Sequence, residues 1–190
     1  MGFTREQLLA YAGTTVPDLV GPDCRLLFAG INPGLWTAAT GAHFARPGNR
    51  FYPALYAAGI TDHVIDASMG MREADREALI AAGVGITNVA PRATAKASEL
   101  TPTELQDGGR ALVSRVERIR PRVLAVLGIT AYRSAFGSPR ATVGLQPDPL
   151  GSTQVWVLPN PSGLNAHETI DTLAAAYRSA AAAAGVLTSL

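Results

Sequence analysis

Apolar residues recur along this chain in two alternating patterns. Four short runs, Arg25-Leu-Leu-Phe-Ala29, Val84-Gly-Ile-Thr-Asn-Val89, Arg122-Val-Leu-Ala-Val-Leu127 and Gln154-Val-Trp-Val-Leu158, read as strands. The third is almost unbroken in its apolar character, as strands covered on both faces are. Helical stretches separate them. Residues 4–12 read as a helix ended by Gly13, residues 49–58 as one that admits Pro53 only near its first turn, and residues 73–82 as one closed by Gly83. Thr101-Pro-Thr-Glu104 is a capping box with proline at the first helical position, opening a helix that runs to about Arg120. Gly108-Gly109 in its middle costs about 1 kcal/mol per glycine against alanine. A short helix near residues 130–136 and an alanine-rich one over 167–184 complete the set. Residues 30–48 read as a long loop, of the kind that is functional or mobile. Residues 137–153 read as irregular, with room for a short edge strand.

Strands alternating with helices predict an α/β fold: three αβα layers around a short central parallel sheet of four strands, as one domain over residues 1–190. The composition agrees, because 47% hydrophobic residues in a chain of 190 can build a sizeable core. A net charge of +1 excludes a histone-like basic tail, although a local basic patch remains open. Cys24 is the only cysteine, which rules out an intramolecular disulfide and a four-cysteine zinc or iron–sulfur site. His43, His63 and His167 stand far apart and show no metal-ligand spacing, so neither metal nor other cofactor is expected. The start of the chain lacks an apolar signal core, and no run approaches the roughly 20 apolar residues of a membrane span. The expected location is the cytoplasm, with no membrane partner.

In a sheet of this kind ligands bind beyond the carboxyl ends of the strands. Three loops rich in Asn, Gly and Pro stand there: Gly30-Ile-Asn-Pro-Gly34, Thr87-Asn-Val-Ala-Pro-Arg-Ala-Thr94 and Pro159-Asn-Pro-Ser-Gly-Leu-Asn165. Each alone makes a good turn; three at one rim point to a site. The first is neither a dinucleotide fingerprint nor a phosphate-binding P-loop. Ser162 lacks the strand–turn–helix motif of a serine nucleophile, and no carboxylate pair stands in these loops. What remains is amides, hydroxyls and backbone N–H groups, which can position water and stabilise an anion but supply no strong general base. Such a site suits a good anionic leaving group, as when a pyrimidine N1 leaves deoxyribose.

At these residues the chain resembles the mismatch-specific uracil/thymine-DNA glycosylases, the G:U/G:T branch of the uracil-DNA glycosylase superfamily. The matching segments are Gly30–Gly34, His43-Phe-Ala-Arg-Pro-Gly-Asn-Arg-Phe-Tyr52, Gly85-Ile-Thr-Asn88, Gly108-Gly-Arg110 and Gly151–Leu164. The resemblance implies that Asn32 is the catalytic residue that orders the attacking water. It implies a base pocket of Gly30 and Ile31 through backbone groups, Phe44 stacking on the flipped base, Asn88 reading the pyrimidine edge, and Thr94 assisting Asn88. It implies that Asn160, Ser162, Gly163 and Leu164 form the loop that enters the duplex, with Leu164 as its wedge. Relatives carry an arginine in or just after that wedge, where this chain reads Asn165-Ala-His167. His43 is a candidate for positioning water or phosphate, and Arg46, Arg50 and Arg92 are candidate phosphate contacts.

The expected activity is therefore monofunctional removal of uracil, and of related pyrimidines such as ethenocytosine or thymine, from mismatches with guanine in double-stranded DNA. The protein is expected to act as a monomer. No lysine nucleophile is implied, hence no lyase step. Two other readings stay open on the sequence: a non-catalytic module that binds unstacked bases, and a hydrolase of a free nucleoside or ester.

Overall fold

A computed structural model describes residues 2–187. The expected domain of residues 1–190 includes residue 1 and residues 188–190, which lie outside the described residues. The chain order is α1 (Arg5–Leu9), β1 (Leu26–Gly30), α2 (Leu35–Thr40), α3 (Phe51–Ala57), α4 (Glu73–Ala81), β2 (Val84–Asn88), α5 (Pro102–Ile119), β3 (Val123–Leu127), α6 (Ile129–Ala135), β4 (Gly144–Leu145), β5 (Gln154–Leu158) and α7 (Ile170–Ala184). The sheet has five strands in the order β2-β1-β3-β5-β4. Four are parallel, and β4 adds a two-residue antiparallel edge beside β5. The count of four strands is thus corrected to five. The extra one falls in the irregular stretch 137–153 and is too short to show a period of its own.

Alternation along the strands divides the core in two. Leu26 and Phe28 of β1, with Val123, Ala125 and Leu127 of β3, face one side and pack with Phe51, Leu55, Leu79 and Tyr177 from α3, α4 and α7. Leu27 and Ala29, with Leu124 and Val126, face the other and meet Leu112, Val116, Tyr132 and Ala135 from α5 and α6. Both faces are covered, which is why these strands read as continuous apolar runs.

Two expectations change in ways that bear on the site. Residues 30–48 are not all loop, since α2 forms between Gly34 at its N-cap and the left-handed Gly41 at its end. Gly108 and Gly109 do more than weaken α5. A Cβ on Gly108 would stand 2.5 Å from the Val89 carbonyl oxygen, and one on Gly109 would stand 2.3 Å from that of Ala135. Glycine therefore lets α5 close onto the end of β2 and onto α6.

Candidate active site

The parallel strands bring Gly30 and Asn88 into register at the carboxyl edge of the sheet, with the loop after β5 on the far side of β3. A cavity of about 170 Å³ opens there. Gly30, Ile31, Asn32, Phe44, Asn88, Thr94, Asn160 and Ser162 all line it. Leu164 and Gly163 do not. They line a neighbouring hollow of about 230 Å³ together with Arg46–Asn49 and Ser162.

Asn32 stands two residues past the end of β1 and is half-buried. Its Nδ2 donates to the Thr94 hydroxyl at 2.7 Å, to the Arg92 carbonyl at 2.8 Å and more weakly to the Pro33 carbonyl at 3.2 Å. Carbonyl oxygens only accept, so the amide group facing them must be NH2. The Thr94 hydroxyl in turn donates to the Lys96 carbonyl at 2.9 Å. The bonds Asn32 makes to other described residues all run through Nδ2, which leaves Oδ1 as a free acceptor. The Thr94 backbone N–H donates to the Pro33 carbonyl at 3.1 Å, tying the two loops together.

Asn88 ends β2 and is buried. His43, also buried, donates from Nε2 to the Pro17 carbonyl at 3.0 Å. That bond fixes the neutral tautomer, so Nδ1 is an acceptor and receives the Asn88 Nδ2–H at 3.2 Å. Burial lowers the His43 pKa below the ordinary 6.5, with the Pro17 bond opposing in part. From the far side, Arg115 of α5 donates to the Asn88 carbonyl and the Thr87 hydroxyl, both at 2.8 Å, and Thr87 donates to Asp18 at 2.7 Å. No sequence pattern signals this support, because Asp18, Thr87 and Arg115 are distant in the chain.

Gly30 must be glycine here. An ideal Cβ would stand 2.7 Å from Asn88 Oδ1 and 3.1 Å from Phe44 Cζ. Phe44 has a positive φ of 55°, which costs a residue with a Cβ of order 1 kcal/mol. Its ring stacks on Phe51 at 4.1 Å between centroids. A strained backbone that sets an aromatic ring at a cavity wall is a mark of sites where position matters.

The other candidates are redistributed. Thr94 holds Asn32, not Asn88. Arg92 pairs with Glu104 at 2.6 Å and holds that carboxyl down at about 2, so it is not a free phosphate contact. Arg50 turns inward, donating to the carbonyls of Ser162 and Asn165 at 2.6 Å and to that of Glu168. Arg46 is exposed at the rim of both hollows. In the 160–165 loop, Asn160 Oδ1 accepts from the Ser162 N–H at 2.9 Å and the Ser162 hydroxyl from the Leu164 N–H at 3.3 Å. Leu164 is 77% exposed, more than any other large apolar side chain among the described residues.

The family model for the uracil DNA glycosylase superfamily matches residues 17–181, nearly the whole chain. The chain belongs to the uracil DNA glycosylase superfamily. A solution NMR structure from Methanosarcina acetivorans, described as a "putative Uracil DNA glycosylase", has a similar fold. Its TM-score is 0.58 at 17% identity, over 88% of this chain and 97% of the other. The α/β architecture is thus that of the superfamily, and membership ties the chain to excision of uracil from DNA in general.

Proposed function

We propose that this protein is a monofunctional DNA glycosylase that flips uracil out of G:U mismatches in double-stranded DNA and hydrolyses its N-glycosidic bond, in base excision repair. Thymine and ethenocytosine opposite guanine are further substrates. The observation that carries the reading is the state of Asn32. Both of its N–H groups are occupied by fixed oxygens, so its remaining acceptor, Oδ1, is held in one direction on a residue that lines the cavity. A water donating to Oδ1 is thereby oriented for attack on C1′ of an extruded nucleotide.

The chemistry follows from what the site lacks. The C1′–N1 bond breaks with its electron pair going to the base, which leaves as an anion, while C1′ becomes oxocarbenium-like. The water oxygen then bonds to C1′ and loses its proton to solvent or to the departing base. Asn32 cannot take that proton, so rate comes from orientation and from stabilising charge, and turnover is modest.

Asn88 supplies the base reading. With one N–H committed to His43, the amide offers Oδ1 to the N3–H of uracil or thymine and its second N–H to O4. Cytosine presents the opposite pattern, an acceptor at N3 and a donor at N4. The amide cannot rotate to match it without setting Oδ1 against the Nδ1 lone pair of His43. The face of Phe44 away from Phe51 takes the base ring. Leu164, on its exposed loop, fills the space left in the duplex.

The test is base release from a duplex with one G:U pair, followed by alkaline strand cleavage. Cleavage at the uracil by the wild type, lost in Asn32→Ala with duplex binding retained, supports the reading. Binding without cleavage by the wild type makes the chain a sensor of unstacked bases and overturns it. Turnover of free deoxyuridine with no duplex activity overturns it as well.

A further inference from the structure

Arg50 precedes α3, a whole sheet away in sequence from the loop after β5, yet it spends nearly all its polar groups on that loop. Its backbone N–H donates to the Pro161 carbonyl at 3.0 Å. Nη2 donates to the Ser162 and Asn165 carbonyls, both at 2.6 Å, and Nη1 donates to that of Glu168. Four carbonyls within residues 161–168 thus converge on one residue. Nε is buried without a partner, a cost that the surrounding bonds must offset. A second contact locks the same two loops: a Cβ on Gly163 would come 2.5 Å from the Gly48 carbonyl oxygen, so the backbones touch there. The loop has no regular secondary structure, and Gly163 and Leu164 at its tip are exposed.

We infer that Arg50 is a positioning residue that holds the 161–168 loop in its inserting shape before DNA arrives, and so aims Leu164. This rests on the glycosylase reading above. A loop free to move must be ordered at the moment of insertion, and that entropy is subtracted from the driving force for flipping. A guanidinium is suited to the task, because its fixed fork reaches several carbonyls at once, whereas an ammonium is a single point charge. The consequence is specific. Arg50 matters where a wedge is needed, in a duplex, and hardly at all on a strand whose bases are already unstacked.

The experiment measures single-turnover uracil release from a G:U duplex and from the same strand alone, for wild type, Arg50→Lys, Leu164→Ala and the double variant. Arg50→Lys is expected to lose about tenfold or more on the duplex and about twofold or less on the single strand. The double variant should be no worse than the poorer single one, since both changes remove the same wedge. Gly163→Ala, which strains the Gly48 contact from the other side, should reproduce the duplex-selective loss if Arg50→Lys folds poorly. Equal losses on both substrates, or losses that multiply in the double variant, overturn the inference. Hydrogen exchange of the amides of residues 162–168 gives a reading independent of catalysis: faster exchange in Arg50→Lys supports it, and unchanged exchange overturns it. A wild type that orders this loop through Arg50 but releases no uracil instead overturns the glycosylase reading.

Discussion

Asn32 and Asn88 stand at the ends of neighbouring strands, and each is held through Nδ2, but by different kinds of partner. Asn32 is held by a hydroxyl and a carbonyl, neither of which titrates in the working range. Asn88 is held by an imidazole, which does. The first amide keeps its orientation at any pH the fold survives. The second keeps it only while His43 is neutral. One fold has thus built an amide held independently of pH beside an amide whose hold depends on a proton.

The largest effect is expected at the first. Asn32→Ala removes the acceptor that the proposed mechanism uses to order the nucleophile and should lower single-turnover uracil release by about 10²–10³-fold, the usual cost of deleting one oriented polar group at a reacting centre. Duplex affinity, measured by fluorescence anisotropy, should change little. A variant within threefold of wild type would remove Asn32 from the chemistry.

Asn88→Leu keeps the volume and removes both polar groups that the proposed reading aims at the pyrimidine edge. It should cost about 10- to 100-fold on uracil, the worth of a two-point contact, and narrow the preference for uracil over cytosine. The pH profile separates Asn88 from Asn32 more sharply. Protonated His43 carries hydrogens on both nitrogens, so its Nδ1 would face Asn88 Nδ2 donor to donor, and the amide would turn to present its N–H groups to the base N3–H. Burial places this step below the ordinary 6.5. Uracil release should therefore hold through the normal histidine range and fall only at lower pH, with selectivity falling beside rate. His43→Gln, which accepts but does not titrate, should lose that acid limb. Stability carries the same sign. The unfolded chain takes up the His43 proton near 6.5 and the folded chain below it, so this group's contribution is complete above 6.5 and is lost as pH falls toward the folded value. An acid limb unchanged in His43→Gln would place the titrating group elsewhere.

Much of this was legible in the sequence where the signal is local. The strand runs, the capping box at Thr101 and the three Asn-Gly-Pro loops marked the sheet, a helix start and the rim where the cavity lies. What escaped are partnerships across long sequence separation. Arg50 reads from the sequence as a candidate phosphate contact; only folding shows four carbonyls waiting 111–118 residues away. Arg92 read the same way until the fold brought Glu104 to it. His43 reads from the sequence as a candidate for positioning water or phosphate, yet its ring is buried and bonded to the Pro17 carbonyl. The glycines of α5 announced their helix penalty but not the close backbone contacts that make them worth it. Periodicity reports which face of an element is apolar, not which distant group will meet a polar side chain.

The smallest effect tests the hold on Asn32 itself. Thr94→Val keeps the shape of the side chain and removes the oxygen that receives Asn32 Nδ2 at 2.7 Å. One N–H of the half-buried amide is then left without its best acceptor, a loss of about 1 kcal/mol or somewhat more, so the expected fall in single-turnover rate is about tenfold. Thr94→Ser restores the hydroxyl and should return most of the rate. Because neither variant touches His43 or Asn88, base preference and the acid limb should stay as in the wild type. A Thr94→Val enzyme that changed its preference between uracil and cytosine would mean that the two amides are not independently held, and the contrast between them would fail at its root.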